Sequence, residues 1–254
     1  MEMKINLFKQ NIKKGIVQWG IWNSMPGPAI AEILADVGFD WVLIDMEHSP
    51  QDQHTVLTSL QAMAPFPSHP IVRVVINDTA KIKQVLDLGA QSILVPYVES
   101  ADEARKAVNA VRYPPAGIRG VAGLVRAGGY GRIKDYHKKA DKEICLLVQV
   151  ETKKALDSLE EIAAVEGVDG IFFGPADLSA SMGLLGQPSN ETVVSAIENA
   201  IRKLKKMNMP SGVLTFDRAA LKRYIASGCL FNAVGVDLAL LSNGADSLLA
   251  EFKK

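Results

Sequence analysis

Cysteine is scarce in this chain. Its two cysteines, Cys145 and Cys229, form no CxxC pair and show no metal-ligand spacing. They read as reduced core thiols of a cytoplasmic protein rather than as disulfide staples or ligands. Neither sign of charge is in excess: Lys plus Arg and Asp plus Glu both number 28, so no net field recruits nucleic acid or an acidic membrane. No apolar stretch approaches the roughly 20 residues needed to span a bilayer. Met1-Glu2-Met3-Lys4-Ile5-Asn6 lacks the apolar core of a signal peptide. Catalytic signatures are missing as well. There is no strand–GxGxxG–helix fingerprint, no GxSxG elbow and no HExxH zinc spacing. The apolar strand-like runs contain no lysine, which argues against Schiff-base catalysis.

What the chain does have is rhythm. An amphipathic segment, a glycine and an apolar run recur as Ala35-Asp36-Val37-Gly38 before Trp41-Val42-Leu43-Ile44, and as Leu86-Asp87-Leu88-Gly89 before Ser92-Ile93-Leu94-Val95. The same junction returns at Gly167 before Gly170-Ile171-Phe172-Phe173 and at Gly228 before Phe231-Asn232-Ala233-Val234. Glycine suits the left-handed position that ends a helix, so each junction predicts helix, cap and buried strand. Strands are expected near 15–20, 40–45, 70–76, 92–97, 145–150, 170–173, 211–215 and 232–237. Helical stripes are expected at Ile30, Ile33, Leu34 and Val37 after Pro28, and at Val193, Val194, Ile197, Ile201 and Leu204. With 48% hydrophobic residues there is ample core material. Eight βα units in this length predict an α/β chain folded as a single (β/α)8 TIM-barrel domain over residues 1–254, in preference to an open doubly wound sheet.

One stretch breaks the rhythm. Residues 113–143 separate the fourth and fifth strands and carry Arg126-Ala127-Gly128-Gly129-Tyr130-Gly131-Arg132. It lacks the Lys-Ser/Thr ending of a phosphate-cradling loop. A long loop in a compact domain is expected to cover substrate or to contact a neighbouring subunit.

Active sites of such barrels lie where the strands end. Strand two runs into Asp45-Met46-Glu47-His48, strand three carries Arg73, strand five ends in Gln149-Val150-Glu151, and strand six leads to Asp177. Alternation sends Val148 and Val150 outward against helices, and Gln149 and Glu151 to the barrel interior; the same parity groups Asp45 with Leu43. Each residue alone has an ordinary reading. Asp177 could be a helix N-cap, Glu151 could pair with Lys153 or Lys154, and His48, like His54, His69 and His137, could be a surface histidine. An arginine within the apolar run Ile71-Val72-Arg73-Val74-Val75 needs an anionic partner. Four such groups on one rim favour function. Two carboxylates leave most positions of a hard, oxygen-liking cation open to water and a chelating substrate, which suits Mg2+ or Mn2+. His48 is then the titratable acid/base, and Arg73 stabilises developing anionic charge.

The segments Gly20-Ile21-Trp22-Asn23, Leu43-Ile44-Asp45-Met46-Glu47-His48-Ser49-Pro50, Val72-Arg73-Val74, Gly117-Ile118-Arg119-Gly120-Val121, Val148-Gln149-Val150-Glu151-Thr152 and Gly174-Pro175-Ala176-Asp177-Leu178-Ser179 together resemble the HpcH/HpaI family of class II pyruvate aldolases. Within it, the resemblance is to the branch that cleaves 4-hydroxy-2-oxoheptane-1,7-dioate, 2-keto-3-deoxyglucarate and 2-keto-3-deoxyrhamnonate. It implies a phosphoenolpyruvate/pyruvate-type barrel that cleaves a 4-hydroxy-2-oxo acid to pyruvate and an aldehyde through a metal-bound pyruvate enolate. It implies that Glu151 and Asp177 hold a divalent cation (Mg2+, Mn2+ or Co2+). Gln149 and the backbone around Gly174 and Ala176 would then grip the pyruvate carboxylate, with Asp177 beside it. Arg73 would stabilise the enolate oxygen, and His48 would take the C4 hydroxyl proton. An aspartate raising the basicity of His48 matches Asp87, with Asp45 a nearer second candidate. Asp87 sits in the last turn of its helix, where the dipole disfavours an anion, and at the wrong end of the barrel. The resemblance also implies a homohexamer, a trimer of dimers exchanging a C-terminal helix from residues 243–254. Met46 and the Arg126–Gly131 stretch depart from the family pattern, and both are expected near the aldehyde. A citryl- or malyl-CoA-type lyase would need a basic cluster for CoA, and none is seen. A non-catalytic binding barrel would be expected to have lost one of Glu151, Asp177, Arg73 or His48, and all are present.

Overall fold

The computed structural model describes residues 1–253. Among them, eight parallel strands close into a barrel in sequence order. These are β1 (Gln18–Asn23), β2 (Trp41–Asp45), β3 (His69–Arg73), β4 (Ser92–Val95), β5 (Cys145–Val150), β6 (Gly170–Phe173), β7 (Ser211–Leu214) and β8 (Phe231–Val236). Helix α1 (Leu7–Lys13) precedes the barrel, and α2 (Pro28–Asp36), α3 (Gln53–Ala62), α4 (Thr79–Asp87) and α5 (Ala101–Val111) follow the first four strands. Next come α6 (Tyr136–Glu143), α7 (Lys153–Asp157), α8 (Leu159–Ala163), α9 (Pro175–Ser181), α10 (Glu191–Lys206), α11 (Arg218–Ser227) and α12 (Asp237–Phe252). No described helix is long and apolar enough to cross a membrane.

Gly38, Gly89 and Gly228 end helices as expected, with φ of 97°, 97° and 113°, whereas Gly167 (φ 108°) lies past the end of α8, in the turn before β6. A residue with a Cβ is strained there, which is why the junction repeats as glycine. The α10 stripe is buried throughout. The α2 stripe is not: Ala31, Leu34 and Ala35 face the core, while Ile33 and Val37 are exposed.

Two cores result from strand alternation. The inner one holds Trp22, Trp41, Leu43, Ile71, Leu94, Cys145, Leu147, Phe172 and Phe231; the outer one holds Val42, Ile44, Val72, Val148 and Val150 against the helices. Glycine on a neighbouring strand makes room for two of the large inner rings, Trp41 and Phe231. A Cβ on Gly20 would lie 2.1 Å from the Trp41 ring, and one on Gly212 would lie 2.2 Å from Phe231. Truncating Phe231 to alanine would leave a cavity costing about 3–5 kcal/mol. Cys145 and Cys229 are buried and free.

Sequence pattern misplaces the start of the barrel. Strand one runs over Gln18–Asn23 rather than 15–20, and the segment before it is helical. Helix α1 is short, with only Phe8 and Ile12 buried, so its periodicity is weak. Phe8 closes the barrel floor, edge-on to Trp41 at 6.2 Å and to Phe231 at 5.7 Å. It stacks on His69 at 5.7 Å, and the His69 ring meets Ser92 Oγ at 2.8 Å. His69 is therefore a floor residue, not a surface one, and burial brings its pKa down to about 4.

Candidate functional site

The strand ends place Asp45, Arg73, Gln149 and Glu151 inside one rim, all of them buried. Arg73 closes β3 beside the end of β2, in register with Asp45. Its Nε donates to Asp45 Oδ1 at 2.8 Å and its Nη2 to Asp45 Oδ2 at 2.7 Å, while Nη1 lies 2.7 Å from Glu47 Oε2. The guanidinium carbon stands 5.2 Å from the Trp22 ring centroid. Burial alone would raise the Asp45 pKa, but the Arg73 contacts outweigh it and hold the carboxyl below its usual value. The anionic partner expected for Arg73 is thus Asp45, seconded by Glu47. That engages the Asp45 carboxylate: what reaches His48 from it is a contact to the backbone N–H at 3.4 Å, and His48 itself is exposed on the loop after β2.

Glu151 is 2% exposed and has no such cation bound to it. Its Oε1 accepts the Tyr97 backbone N–H at 2.9 Å, and its Oε2 accepts Gln149 Nε2 at 2.5 Å. Burial, then the charges of Glu47 and Asp177, push its pKa up to about 7. Asp177 lies in the first turn of α9, where an anion is favoured by the dipole. It is not the N-cap, a position held by Gly174, and its carboxylate is exposed. A Cβ on Gly174 would fall 2.6 Å from Glu151 Oε2 and 3.0 Å from Gln149 Nε2, so glycine keeps the space around this carboxylate open. Ala176 is exposed in the same first turn, among the N–H groups a helix start leaves free. Among the described residues no cluster of three or more His, Cys, Asp or Glu side chains is placed to hold a metal. The arrangement is a two-carboxylate one: a buried, proton-retaining Glu151, an open Asp177 and a space no side chain fills. These features fit a cation that takes its other ligands from water and substrate.

Sequence reasoning overlooked three rim residues. Glu47 shares Arg73 with Asp45, Trp22 lies at an inward position of β1 with its Nε1 3.4 Å from Asp45 Oδ2, and Tyr97 follows β4. Parity along β1 was enough to find Trp22. Tyr97 has φ +56°, the left-handed region, which costs an aromatic residue about 1–2 kcal/mol. No sequence pattern marks it.

Asp87 is elsewhere. It ends α4 at the floor side of its own barrel, and fully buried Arg119 donates to it from Nη2 at 3.1 Å. Arg119 stacks 4.4 Å from the Tyr113 centroid. This guanidinium is what makes an anion tolerable at a helix C-terminus. The expectation that Asp87 joins His48 therefore fails within one chain. Of the two roles expected for the 113–143 segment, covering substrate fails within one chain: the segment links α5 to β5, so it emerges at the floor and not at the rim. Arg126 there donates to Leu88 O at 2.7 Å and Leu60 O at 3.3 Å, capping the ends of α4 and α3. Met46, expected near the aldehyde, packs instead into the outer core and lines a cleft of about 490 Å³ with Gln51, His54, Val74 and Lys81.

Comparison with known proteins agrees with this geometry. The model of a family described as HpcH/HpaI aldolase/citrate lyase matches residues 18–244. A pyruvate aldolase of Rhizobium etli is 53% identical over 252 residues, covering 99% of this chain and 99% of that protein. A 4-hydroxy-2-oxo-heptane-1,7-dioate aldolase of Salmonella paratyphi B is 52% identical over 248 residues, covering 97% of this chain and 94% of that protein. The crystal structure of an HpcH/HpaI aldolase/citrate lyase family protein from Burkholderia cenocepacia superimposes with a TM-score of 0.94 at 37% identity, covering 98% of this chain and all of that one.

Proposed function

The chain belongs to the HpcH/HpaI aldolase/citrate lyase family, and from that membership we propose that it cleaves a 4-hydroxy-2-oxo acid reversibly to pyruvate and an aldehyde. It is an enzyme of the class II pyruvate aldolase type. The observation that carries the site assignment is the pair Glu151 and Asp177, two neighbouring carboxylates at one rim, of which burial and then the charges of Glu47 and Asp177 push the enclosed Glu151 up to about 7. A divalent cation held there supplies Lewis acidity toward the 2-oxo acid.

The chain's own residues do the rest. Gln149 and the free N–H groups at the start of α9, near Gly174 and Ala176, bind the carboxylate of the pyruvate half. Arg73, fixed by Asp45 and Glu47, presents its remaining N–H groups to the C2 oxygen and stabilises the negative charge that develops there. His48 takes the C4 hydroxyl proton as the C3–C4 bond breaks; the bonding pair passes into the enolate and the aldehyde departs. A proton delivered to C3 completes pyruvate. Asp87 can meet a His48 only across a subunit boundary.

A cytoplasmic homohexamer, a trimer of dimers, is part of the same reading. The exposed apolar residues of α12, among them Leu240, Leu241, Leu248, Leu249 and Phe252, support exchange of a C-terminal helix. So do Trp19 on β1 and Val234 on β8, which are exposed where the last helix of a closed barrel ordinarily lies. Lys254, the final residue of the proposed exchanging segment, lies outside the described residues.

The test is direct. Purified protein with Mg2+ or Mn2+ should release pyruvate from a 4-hydroxy-2-oxo acid, followed by a lactate dehydrogenase-coupled assay, and EDTA should stop it. Turnover that persists after exhaustive chelation would refute the cation's role.

A further inference from the structure

Trp22 is a rim residue that the proposed reaction leaves without a role. It is buried on the inner face of β1, at the top of an aromatic column that rises from the floor. Phe8 stands 6.2 Å from Trp41, Trp41 is edge-on to Trp22 at 6.4 Å, and Phe172 leans on Trp22 at 5.3 Å. Arg73 completes the column, its guanidinium carbon 5.2 Å from the Trp22 centroid and so within the ~6 Å reach of cation–π attraction. The pairing of β1 with β8 is irregular here. The two steps from Gly20 to Trp22 face the three from Ala233 to Val236. Irregularities of this kind recur beside active sites, where they re-aim a side chain.

Indole supplies both a π face and an N–H, and both are engaged. Nε1–H lies 3.4 Å from Asp45 Oδ2, the oxygen that Arg73 Nη2 reaches at 2.7 Å. Asp45 Oδ1 accepts Arg73 Nε at 2.8 Å and the Glu47 backbone N–H at 2.9 Å. Trp22 therefore touches both members of the Asp45–Arg73 pair. That pair needs a third support. Glu47, on the loop after β2, also draws on the guanidinium, at 2.7 Å from Nη1. Two carboxylates on different segments thus compete for one cation. A ring pinned by Phe172 and Trp41 gives that cation a fixed surface to rest on. It also keeps water from one side, which strengthens the pull of the remaining N–H groups on a developing oxyanion.

We propose that Trp22 is a positioning residue of the aldolase site: its ring and its Nε1–H hold the Asp45–Arg73 pair where the guanidinium meets the C2 oxygen as charge develops there. The proposal rests on the aldolase reading and adds to it a residue that acts through Arg73. Gln149 and the α9 amides bind the pyruvate half without it. Loss of Trp22 therefore lowers kcat and leaves KM nearly as it was.

The experiment is a double-mutant cycle. The acetaldehyde and succinic semialdehyde adducts of pyruvate are supplied with Mg2+, and pyruvate release is followed by the coupled assay. Trp22→Leu should lower kcat roughly thirtyfold, and Trp22→Phe, which keeps a ring without the N–H, roughly fourfold, both with KM within about twofold of the parent. In an Arg73→Lys background, which has no planar fork to support, either substitution should cost less than about twofold. An equal cost in both backgrounds would overturn the proposal, because a ring that only packs the barrel or touches the aldehyde matters whether or not Arg73 is present. A raised KM with unchanged kcat would overturn it too. If Trp22→Leu failed to fold by near-UV circular dichroism, the Trp22→Phe cycle would decide by the same criterion. A parent that released pyruvate from neither adduct would bring down the aldolase reading and this proposal with it; an active parent with an uncoupled cycle would bring down the proposal alone.

Discussion

At the barrel floor, Asp169 is held by Lys9 at 3.1 Å, by Lys13 at 2.9 Å and by the Leu146 backbone N–H at 3.0 Å. At the rim, Glu151 is buried too, but its hydrogen bonds come from an amide side chain and a backbone N–H, and the charges of Glu47 and Asp177 outweigh that of Arg73 on it. Both are acids at an end of the same sheet. A buried anion with cations supplied by its own chain is part of the framework. A buried anion whose cation is missing from the chain marks where something from solution is to bind. Asp45 belongs with Asp169 in this respect, although it stands at the rim, because Arg73 neutralises it and is in turn aimed by it.

The contrast is broken most forcefully by Glu151→Gln. Removing a carboxylate proposed to hold the cation should lower kcat on the order of 10³-fold, since several kcal/mol of transition-state stabilisation would depend on it. Yet the variant should be no less stable than the parent to urea at pH 8 without metal, because the lost charge was unpaired. A large loss of stability there would place Glu151 with the framework acids. Asp169→Asn should do the opposite. It strips Lys9 of its partner in a largely buried setting, costing roughly 1–3 kcal/mol in urea unfolding, while kcat stays near that of the parent. A collapse of kcat with unchanged stability would reverse the assignment.

The smallest effect is one of pH. The Glu151 pKa rises on folding from 4.5 to about 7, so the folded chain binds this proton more tightly than the unfolded one. The stability this contributes is complete below about pH 4.5 and is lost as pH rises through about 7, on the order of 3 kcal/mol in total. A divalent cation replaces the proton above that range. Its effect on Tm should therefore be larger at pH 8 than at pH 5.5, a matter of several degrees by scanning calorimetry. An equal shift at both values would mean that the cation does not compete with this proton.

Much of this was legible beforehand, for identifiable reasons. The glycines at 38, 89 and 228 mark helix ends, and Gly167 the turn into β6, because the left-handed region serves there, and they helped set the strand count. Period-two alternation placed Asp45, Gln149 and Glu151 inward because one apolar face must meet the helices. The same parity, carried one residue further, puts Met46 outward with Ile44, which is where it packs. The order of elements likewise consigns an α-to-β link such as 113–143 to the floor. Asp87 and Arg126 lie at the floor of their own barrel, which sequence shows less readily than residue type, and Arg119, which stabilises Asp87, is 32 positions away. Tyr97 lay beyond reach altogether, since nothing in Pro96-Tyr97-Val98 announces a left-handed turn.

The closed floor has a kinetic consequence. Phe8, Trp41 and Phe231 seal one end, so traffic uses the mouth alone. Gln149 and Glu151, 3% and 2% exposed, lie deeper than Tyr97. If they hold the pyruvate half as proposed, that half enters first and leaves last, like the bottom plate of a stack. In the cleavage direction the aldehyde must clear the way before pyruvate can go, which makes pyruvate a competitive product inhibitor and the aldehyde a noncompetitive one. The barrel thereby keeps its reactive three-carbon fragment in hand until a partner has either departed or arrived.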